Sequence, residues 1–596
     1  MTQPHRLFDC IEAQLEKAPN EPLMAAKEGG VWRKYTAIEI ADIVEKLSAG
    51  LLALGVTCGD MTVENRDKIA IISKNRPEWV FLDLAVQKIG AVLVPVYPTV
   101  HVIDLEFVLN DATVKFVFVN DEDLYHKVKS VQKNVPSVID VFSFEHISGC
   151  RHWKEVLQLG KQEHFQQIES ISSKIDTEDL FTIIYTSGTT GTPKGVMLSH
   201  HNVLSNVMST YPHFPLKTGV HTISFLPLNH IFERTVTYVY LFAGACIHYA
   251  ESLEALGDNL REVKPHMFST VPRLLEKVFE RIMEKGAALT GVKRKLFYWA
   301  VALAEQYDMQ DKKSLGYRMQ LSLANKLVFK KWREGLGGNV EVVVTGAAAC
   351  PVKLLRIFTA AGIPVLEGFG QTESSPVISF NRLNEDERMF GTVGTVIEGV
   401  QVKMAEDGEI LCKGPNVMMG YYKRPDLTAE TLKEGWLYTG DIGMMVQDKF
   451  LKITDRKKEI FKTSGGKFVA PQPIENKMVE SPLIEQIMVI GANEKFTGAL
   501  IVPSMHHLKE WCKQHGITDS TNDALIRNPK VLQQYKDVVE EMNKNFNPVE
   551  QVKRFELLPF PWTIEGGELT PTLKLKRKVI MEKYRDAIER IYKKEP

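Results

Sequence analysis

Short apolar runs alternate with segments of helical period along most of the chain. In residues 36–98 an amphipathic helix (IEIADIVEKLSAGLLALG) precedes the apolar strand KIAIIS, and a helix after NRPEW precedes the strand AVLVPVYP. The alternation returns at FVFVN, TIIYTS, TISFLPL, EVVVTG and IPVLEGFG. Apolar runs this short are typical of buried strands whose sheet is covered by helices. The pattern predicts an α/β fold with binding loops after the carboxyl ends of strands.

Three departures from this pattern divide the chain. Residues 273–333 lose the strand signal and become helical and basic, which predicts a helical insertion. Residues 391–455 carry short strands with frequent glycine, which predicts a β-rich subdomain. The charged, glycine-containing stretch DRKKEIFKTSGGK at 455–467 is the candidate hinge. We therefore expect a large domain over residues 1–455 and a smaller, mobile α+β domain over 456–596.

Two further segments have a local prediction. The longest apolar stretch, 238–250 (YVYLFAGACIHYA), is too short to span a membrane, and we interpret it as a buried strand and turn. Near the end of the chain, VIMEKYRDAIERIYKK places Ile580, Tyr584, Ile588 and Ile591 on one face, which predicts a single amphipathic helix.

Composition narrows the class of protein. With 44% hydrophobic and 25% charged residues the chain is of ordinary globular type, and 73 Lys+Arg against 74 Asp+Glu give a net charge of -1. No global basic field favours nucleic acid, so we expect no nucleic-acid partner. The seven cysteines form no disulfide framework or Cys-x-x-Cys zinc pair, and no signal-peptide or spanning segment is seen. A reducing, cytoplasmic compartment is the expected location.

The most informative stretch is YTSGTTGTPKG, residues 185–195, directly after an apolar strand. Its backbone N–H groups and hydroxyls can surround phosphate oxygens while Lys194 offsets their charge. It is not a Walker A loop, since Pro193 precedes the lysine and Gly195 follows it. The predicted phosphate-binding residues are Thr186, Ser187, Gly188, Thr189, Thr190, Gly191 and Lys194.

This stretch resembles the phosphate loop of the adenylate-forming superfamily, which includes acyl-CoA synthetases, luciferases and peptide-synthetase adenylation domains. The resemblance extends over nearly the whole chain, and further motifs follow in the family's order. It implies an AMP-forming ligase with a large N-terminal domain of two sheets and a mobile C-terminal cap. The signature around Trp436 and the helical insertion resemble the long-chain fatty acyl-CoA synthetases.

The second motif is GFGQTE, residues 368–373, at the end of the run IPVLE. By resemblance Phe369, Gly370 and Gln371 line the adenine, Thr372 contacts the α-phosphate, and Glu373 holds Mg²⁺ together with Thr189. The family usually has Tyr in place of Phe369, and Phe keeps the stacking face. Upstream, TGAAACP resembles the wall beside the adenine and the acyl group, which gives Gly346 and Ala347 a place in the ATP site.

The third motif spans residues 434–460, EGWLYTGDIGMMVQDKFLKITDRKKEI, and resembles the fatty acyl-CoA synthetase signature. The resemblance implies that Asp441 accepts hydrogen bonds from the ribose hydroxyls and that Arg456 supports the nucleotide. A carboxylate suits a diol because it only accepts hydrogen bonds. Lys458 occupies the family's hinge position, and Lys462, Gly465 and Gly466 match the loop of the thioester step.

Two more candidates are catalytic. The segment LTPTLKLKR, residues 569–577, resembles the loop of the catalytic lysine, where Lys574 is preferred and Lys576 stays the alternative. Leu573 stands where the family pattern has glycine. His230 lies in LPLNHIFE after an apolar strand, where a lone histidine is usually structural, and the resemblance lifts it to an acyl-pocket or active-site residue. Arg234 is expected nearby, beside a substrate tunnel.

The implied reaction uses Mg·ATP to convert a long-chain fatty acid to acyl-adenylate and pyrophosphate, and then transfers the acyl group to coenzyme A. The alternatives are a fatty acyl-AMP ligase that loads a carrier protein and a non-catalytic acyl-nucleotide sensor. The basic-aromatic segment VKRKLFYWA, 292–300, is either a peripheral membrane contact, at the inner face of a membrane, or a helix that covers the core. A homodimer stays open as well.

Overall fold

The computed structural model describes residues 4–187, 192–310, 314–457, 459–518, 521–570 and 574–593. It divides into two compact units. The first consists of Met1–Cys350, Leu354–Lys403 and Leu411–Tyr438, and the second of Pro351–Lys353, Met404–Ile410 and Thr439–Pro596. The expected α/β class, with a large N-terminal and a smaller C-terminal domain, is confirmed.

A nine-stranded sheet forms one layer of the first unit. Its central strands are parallel, and antiparallel strands close both ends. In spatial order the strands are Thr395–Val396, Val377–Phe380, Val365–Gly370, Val342–Thr345, Met267–Thr270, His221–Ser224, Cys246–Tyr249, Pro22–Glu28 and Val31–Thr36.

An eight-stranded sheet forms a second layer. Every residue of its central strand Lys68–Ile72 is buried, as expected for a strand covered on both faces. In spatial order the strands are Gly420–Tyr421, Pro193–Ser199, Leu180–Ser187, Val92–Pro95, Lys68–Ile72, Val114–Val119, Asp140–Ser143 and Arg151–His152.

Helices connect and cover these strands. The α-helices before Thr439 are Asp9–Lys17, Ala37–Ala53, Pro77–Lys88, Val102–Asp111, Glu122–Gln132, Trp153–Val156, Gln162–Ser172, His200–Thr210, Ile231–Ala243, Leu256–Val263, Pro272–Ala287, Gly291–Glu305, Leu315–Ala324, Lys330–Gly335, Val352–Ala360 and Pro425–Thr431. Short 3₁₀ turns lie at Tyr211–His213, Thr372–Ser374 and Glu385–Glu387, and a π-helical turn at Asn325–Phe329. In the described part of the chain, no helix has both the length and the apolarity to cross a bilayer.

Smaller sheets follow. A five-stranded sheet is formed by Gln401–Met404, Glu409–Lys413, Trp436–Val446, Leu432–Lys433 and Phe450–Arg456. The rest of the second unit holds the hairpin Phe461–Lys462 and Phe468–Val469 and the sheet Ile484–Ile490, Gly498–Pro503 and Arg554–Leu557. Its helices are Pro471–Met478, Met505–Gln514, Asn522–Arg527, Pro529–Asn543, Arg577–Lys583 and Arg585–Tyr592.

Two local predictions were wrong in part. Residues 238–243 continue the helix Ile231–Ala243, which ends at Gly244 in the left-handed conformation, and only Cys246–Tyr249 is a strand. This helix is buried on nearly every side, so it lacks the polar face that marks a helix in sequence. The expected single terminal helix is two helices that meet at Tyr584.

A buried ion pair joins the helices Pro77–Lys88 and Ile231–Ala243 to the strand Leu180–Ser187. Nε of Arg234 donates to Oδ2 of Asp83 at 2.9 Å, and Nη1 donates to Oγ1 of Thr182 at 2.7 Å. The guanidinium also lies 4.6 Å from the ring centre of Phe181. A charge this deeply buried is tolerated only when its hydrogen bonds are satisfied. Arg234, expected beside a substrate tunnel, is thus held inside the core.

We predict that Asp83→Asn lowers the free energy of unfolding by about 3–5 kcal/mol, because it leaves the Arg234 guanidinium buried without a counter-charge. Urea unfolding, followed by tryptophan fluorescence, measures the loss. The double variant Asp83→Leu with Arg234→Met removes both charges and should cost clearly less than the sum of the two single changes. Additive losses would contradict a coupled pair.

Candidate active site

The strands on either side of the predicted phosphate loop pair with each other. Strands Leu180–Ser187 and Pro193–Ser199 pair antiparallel, with Thr186 opposite Lys194. The pairing therefore places Thr186 and Lys194 side by side next to the predicted loop. Gly188, Thr189, Thr190 and Gly191, together with the side chain of Ser187, lie outside the described residues.

The GFGQTE segment leaves the nine-stranded sheet at the end of Val365–Gly370. Phe369 is half-buried and pairs with Ser379 of the antiparallel neighbour. A Cβ atom on Gly370 would lie 1.6 Å from the carbonyl oxygen of Pro376, so only glycine fits there. The backbone N–H of Gln371 donates to Oγ of Ser374 at 3.0 Å, across the short helix Thr372–Ser374 that carries Glu373.

Tyr421 connects the two motifs. Its hydroxyl donates a hydrogen bond to Oε1 of Glu373 at 2.8 Å, and Nζ of Lys194 lies 5.2 Å from the centre of its ring. Tyr421 reaches this position because Gly420–Tyr421 pairs with the strand Pro193–Ser199. Burial, with Glu373 beside it, raises the pKa of the Tyr421 hydroxyl, so the group stays a hydrogen-bond donor at neutral pH.

The Glu373 carboxylate fits the magnesium ion that the resemblance implies. Mg²⁺ takes hard oxygen ligands and is usually held by one or two carboxylates together with substrate phosphates. Among the described residues no group of three or more His, Cys, Asp or Glu side chains forms a self-contained metal site. A single carboxylate beside a phosphate loop is the arrangement that this kind of shared coordination needs.

The Gly346-Ala347 turn follows the strand Val342–Thr345. A Cβ atom on Gly346 would lie 3.6 Å from the carbonyl oxygen of Gly368, so the turn runs close to the GFGQTE strand. Ala347 has a φ of 68°, in the left-handed region that alanine rarely occupies. Backbone strain of this kind is often held at ligand sites.

His230 begins the helix Ile231–Ala243. Its Nδ1 accepts a hydrogen bond from the backbone N–H of Phe232 at 3.1 Å. His230 is thus the cap of the helix that also carries Arg234.

Two carboxyl groups are buried close to these motifs. Burial raises the pKa of Glu367 to about 8, although the carboxylate accepts the backbone N–H of Cys350 at 2.7 Å. Burial likewise raises the pKa of Glu233 to about 7, against hydrogen bonds from Ser224 and Ser269. At pH 7 Glu367 is therefore predominantly neutral.

In the second unit Asp441 and Arg456 form a pair across neighbouring strands. They lie opposite each other in the antiparallel register, and Nε of Arg456 donates to Oδ1 of Asp441 at 3.0 Å. Burial raises the pKa of Asp441, and the charges of Arg456 and then Lys574 oppose that rise. The structure thus brings Lys574 into the electrostatic field of Asp441.

The lysine loop is closed by its own backbone. The N–H of Thr570 donates to the carbonyl oxygen of Lys574 at 2.8 Å, and the N–H of Lys574 donates to Oγ1 of Thr570 at 3.0 Å. Residues 571–573 lie outside the described part of the chain. Lys576 instead precedes the helix Arg577–Lys583, and its N–H donates to the carbonyl oxygen of Glu568.

Arg577 fixes the end of this loop. Its Nη2 donates to both carboxylate oxygens of Glu475, at 2.6 and 2.7 Å, and its Nε donates to Glu459 at 3.2 Å. Nη1 donates to the carbonyl oxygen of Val489 at 3.0 Å. A guanidinium held in three directions orients the backbone next to it.

The hairpin expected to serve the thioester step stands apart from this network. Lys462 pairs with Phe468, which is 71% exposed, and Gly466 is in the left-handed region at a φ of 78°. Gly465 lies beside it in the same turn. Lys458, the expected hinge residue, is outside the described residues.

Comparison with known proteins identifies the family. The model of the AMP-binding enzyme family matches residues 11–422, and the model of its C-terminal domain matches residues 458–596. The chain belongs to the AMP-binding enzyme family. A long-chain-fatty-acid–CoA ligase of Mycobacterium bovis is 32% identical and is matched over 95% of this chain and 93% of its own length. Long-chain-fatty-acid–CoA ligase 1 of Homo sapiens is 32% identical, over 98% and 86%.

Solved structures agree with the fold. The adenylation domain of a carboxylate reductase from Mycobacterium chelonae is 22% identical, with a TM-score of 0.74 and coverage of 98% of this chain and 91% of that chain. At that identity the likeness bears on the fold alone. The resemblance read from the motifs is thus confirmed at the level of the family and its architecture.

Tyr421 contacts two of the predicted site residues, Glu373 and Lys194, and the motifs did not point to it. It lies 48 positions from Glu373 in the chain and belongs to none of the quoted motifs. The one available signal was the aromatic pair YY directly after the glycine at 420. The network around Arg577 was missed as well, since its partners Glu475 and Val489 come from separate elements.

We predict that Tyr421→Phe raises the Kd for Mg·ATP about fivefold, because it removes one hydrogen bond worth about 1 kcal/mol from Glu373. Isothermal titration measures the change. Tyr421→Ala also removes the ring next to Lys194 and should raise the Kd further. An unchanged Kd in the folded Tyr421→Phe variant would contradict a positioning role.

We predict that Glu367→Gln flattens the dependence of stability on pH between about 4.5 and 8. In that window the folded wild type binds a proton that the unfolded chain has lost, so its stability falls as pH rises, by a few kcal/mol in total. Unfolding free energies at several pH values measure the effect. Glu430→Gln, at an exposed carboxyl, is the matched control. Parallel curves for wild type and Glu367→Gln would refute the assignment.

Proposed function

We propose that this AMP-binding enzyme is an AMP-forming ligase that converts a long-chain fatty acid to its coenzyme A thioester. The observation that carries the proposal is the grouping of Lys194, Tyr421 and Glu373, which joins a phosphate-binding cation to a metal-binding carboxylate. Relatives that are similar over nearly the whole length are named as long-chain fatty acid–CoA ligases, and these names support a long-chain fatty acid and coenzyme A as the substrates.

The chemistry requires two half-reactions. A carboxylate is a poor acyl donor, because its negative charge repels nucleophiles and oxide is a poor leaving group. In the first half-reaction a carboxylate oxygen attacks the α-phosphorus of ATP, and the bond to the β-phosphate oxygen breaks, so pyrophosphate leaves. In the second, the thiolate of coenzyme A attacks the acyl carbon, and AMP leaves with the electrons of the acyl–oxygen bond.

The first unit binds and orients the nucleotide in this proposal. Lys194 and the hydroxyls of Thr186 and Ser187 contact phosphate oxygens, and the half-buried ring of Phe369 stacks on adenine. Glu373 and Thr189 would hold Mg²⁺, which when bound supplies positive charge to the phosphates. His230 lies on the side of the acyl group.

The second unit supplies the remaining groups. Asp441 accepts hydrogen bonds from the ribose diol while Arg456 opposes the rise in its pKa that burial causes, and Lys574 stabilises the charge that develops between carboxylate and α-phosphate. The influence of Lys574 on Asp441 favours it over Lys576. Lys458 is the pivot between the half-reactions, and Lys462 with Gly465 and Gly466 serves the thioester step. The domain that pivots begins at Arg456.

The enzyme works in the cytoplasm, next to the membrane that holds its water-insoluble substrate. All seven cysteines are unpaired thiols, as a reducing compartment would keep them. A ligation assay with saturated acids of increasing length tests the substrate class. Formation of acyl-CoA with free coenzyme A supports the proposal. Transfer of the acyl group from acyl-AMP to a carrier protein alone would identify an acyl-AMP ligase instead. The absence of ATP–pyrophosphate exchange with every acid would identify a non-catalytic nucleotide sensor.

We predict that Lys574→Ala slows acyl-AMP formation about 10²–10³-fold, since it removes a positioned charge from the transition state. The rate of thioester formation from supplied acyl-AMP should stay within a few-fold of wild type. Quenched-flow measurement of each half-reaction checks the split.

Lys576→Ala is the matched control, because it removes the neighbouring lysine of the same loop. It should leave both half-reactions close to wild type. Equal loss of both half-reactions in Lys574→Ala, or loss of adenylation in Lys576→Ala alone, would contradict the assignment.

A further inference from the structure

The helix Leu315–Ala324 and the π-helical turn after it carry apolar residues on two sides. Ala324 and Val328 are buried in the hydrophobic core, and Tyr317 and Leu321 pack against it. On the opposite side Leu315 is 78% exposed, Met319 74% and Leu323 49%. The outer face of a surface helix is normally polar, so three large apolar side chains here need an explanation.

The spacing of these residues makes a continuous stripe. Leu315, Met319, Leu323 and Leu327 follow one another at intervals of four, which places successive side chains next to each other on a helix. The wider π turn at Asn325–Phe329 rotates less per residue and keeps the 44% exposed Leu327 near the stripe.

Cations surround the stripe. The hydroxyl of Tyr317 donates to the carbonyl oxygen of Leu303 at 2.9 Å, so the helix Gly291–Glu305 packs beside Leu315–Ala324. The helix Gly291–Glu305 and residues 314–333 contain eight Lys and Arg and one acidic residue, Glu305. Seven of these cations are exposed, and one of them, Lys330, lies 3.9 Å from Oε1 of Glu334. The other six, with the four stripe residues, define what we term the basic apolar face: Lys293, Arg294, Lys295, Arg318, Lys326 and Lys331.

The charge of this face decides among its occupants. A second copy of the chain that docked through the same face would set these cations against their own copies, with Glu305 as the single acidic side chain of these segments to pair them. An anionic lipid surface offers the complementary charge and, beneath it, an apolar layer for the stripe. The arrangement matches an in-plane helix, with apolar side chains toward the acyl chains and basic ones among the headgroups.

We propose that the basic apolar face docks this enzyme on anionic phospholipid membranes, with Leu315, Met319 and Leu323 inserted between the headgroups. The inference rests on the proposed function only in naming the membrane as the store of the long-chain acid. It relocates the contact foreseen at 292–300. In that segment Phe297 is buried in the core, and the lysines and Arg294 form the flank of the face.

Co-sedimentation of the full chain with vesicles tests the docking. Wild type should bind vesicles of phosphatidylglycerol and phosphatidylcholine at low salt, bind pure phosphatidylcholine weakly, and be released by about 0.5 M NaCl, which screens the headgroup charge. The affinity of the triple variant Leu315→Gln, Met319→Gln, Leu323→Gln for the anionic vesicles should be lower than that of wild type by at least about tenfold. The variant Lys293→Gln, Arg294→Gln, Lys295→Gln should lose most of the salt dependence.

The matched control is Val31→Gln, Ile103→Gln, Ile139→Gln, which removes three apolar residues that are 71%, 73% and 63% exposed elsewhere. It should bind like wild type. Equal binding by control and stripe variant would overturn the proposal. So would a dimer that forms without vesicles, seen by analytical ultracentrifugation, and that the stripe variant abolishes, because the occupant would then be a second copy.

A parallel assay separates this inference from the proposed function. Acyl-CoA formation from water-soluble octanoic acid, without vesicles, should be the same in wild type and all three variants. Vesicle binding by a chain that makes no acyl-CoA with any acid would leave the docking face standing and remove the ligase. Acyl-CoA formation without vesicle binding would do the reverse.

Discussion

The buried pair of Arg234 and Asp83 is the interaction on which the first unit depends. It takes a full charge out of water at the junction of two helices and the strand Leu180–Ser187, and it is stable there because Thr182 and aromatic rings complete its surroundings. That strand leads directly into the phosphate loop. The helix that carries Arg234 begins at His230, which Asn229 holds in place through its bond to the carbonyl oxygen of Val96. The strand before the predicted phosphate loop and the helix that His230 caps are thus joined by one ion pair and its hydrogen bond to Thr182.

Much of this could be predicted from local pattern. Short apolar runs predicted the strands, because strands buried on both faces of a parallel sheet consist of uninterrupted apolar residues. The motifs stood at strand ends, where binding loops belong in an α/β fold. Gly370 shows how strong a local signal can be, since the backbone around it leaves no room for a side chain. The α/β class and the family followed from these signals.

The remainder depended on contacts that no local pattern contains. Residues 238–243 were mistaken for a strand because tertiary burial on all sides had removed the helical period. Tyr421 and Glu373 meet only through sheet pairing at a distance in sequence, and Arg577 joins partners from three elements. The outer apolar stripe was hidden for the same reason: the sequence shows a helix rich in leucine, and only the packed structure tells which leucines face outward.

The anchoring of Arg577 has a mechanical consequence within the second unit. Arg577 belongs to the segment that follows Lys574. Its guanidinium donates a hydrogen bond to Glu459, one residue beyond the expected pivot. The segment that follows Lys574 is therefore joined to the backbone just after position 458. If the chain turns at that position, as proposed, the segment after Lys574 moves together with Glu459.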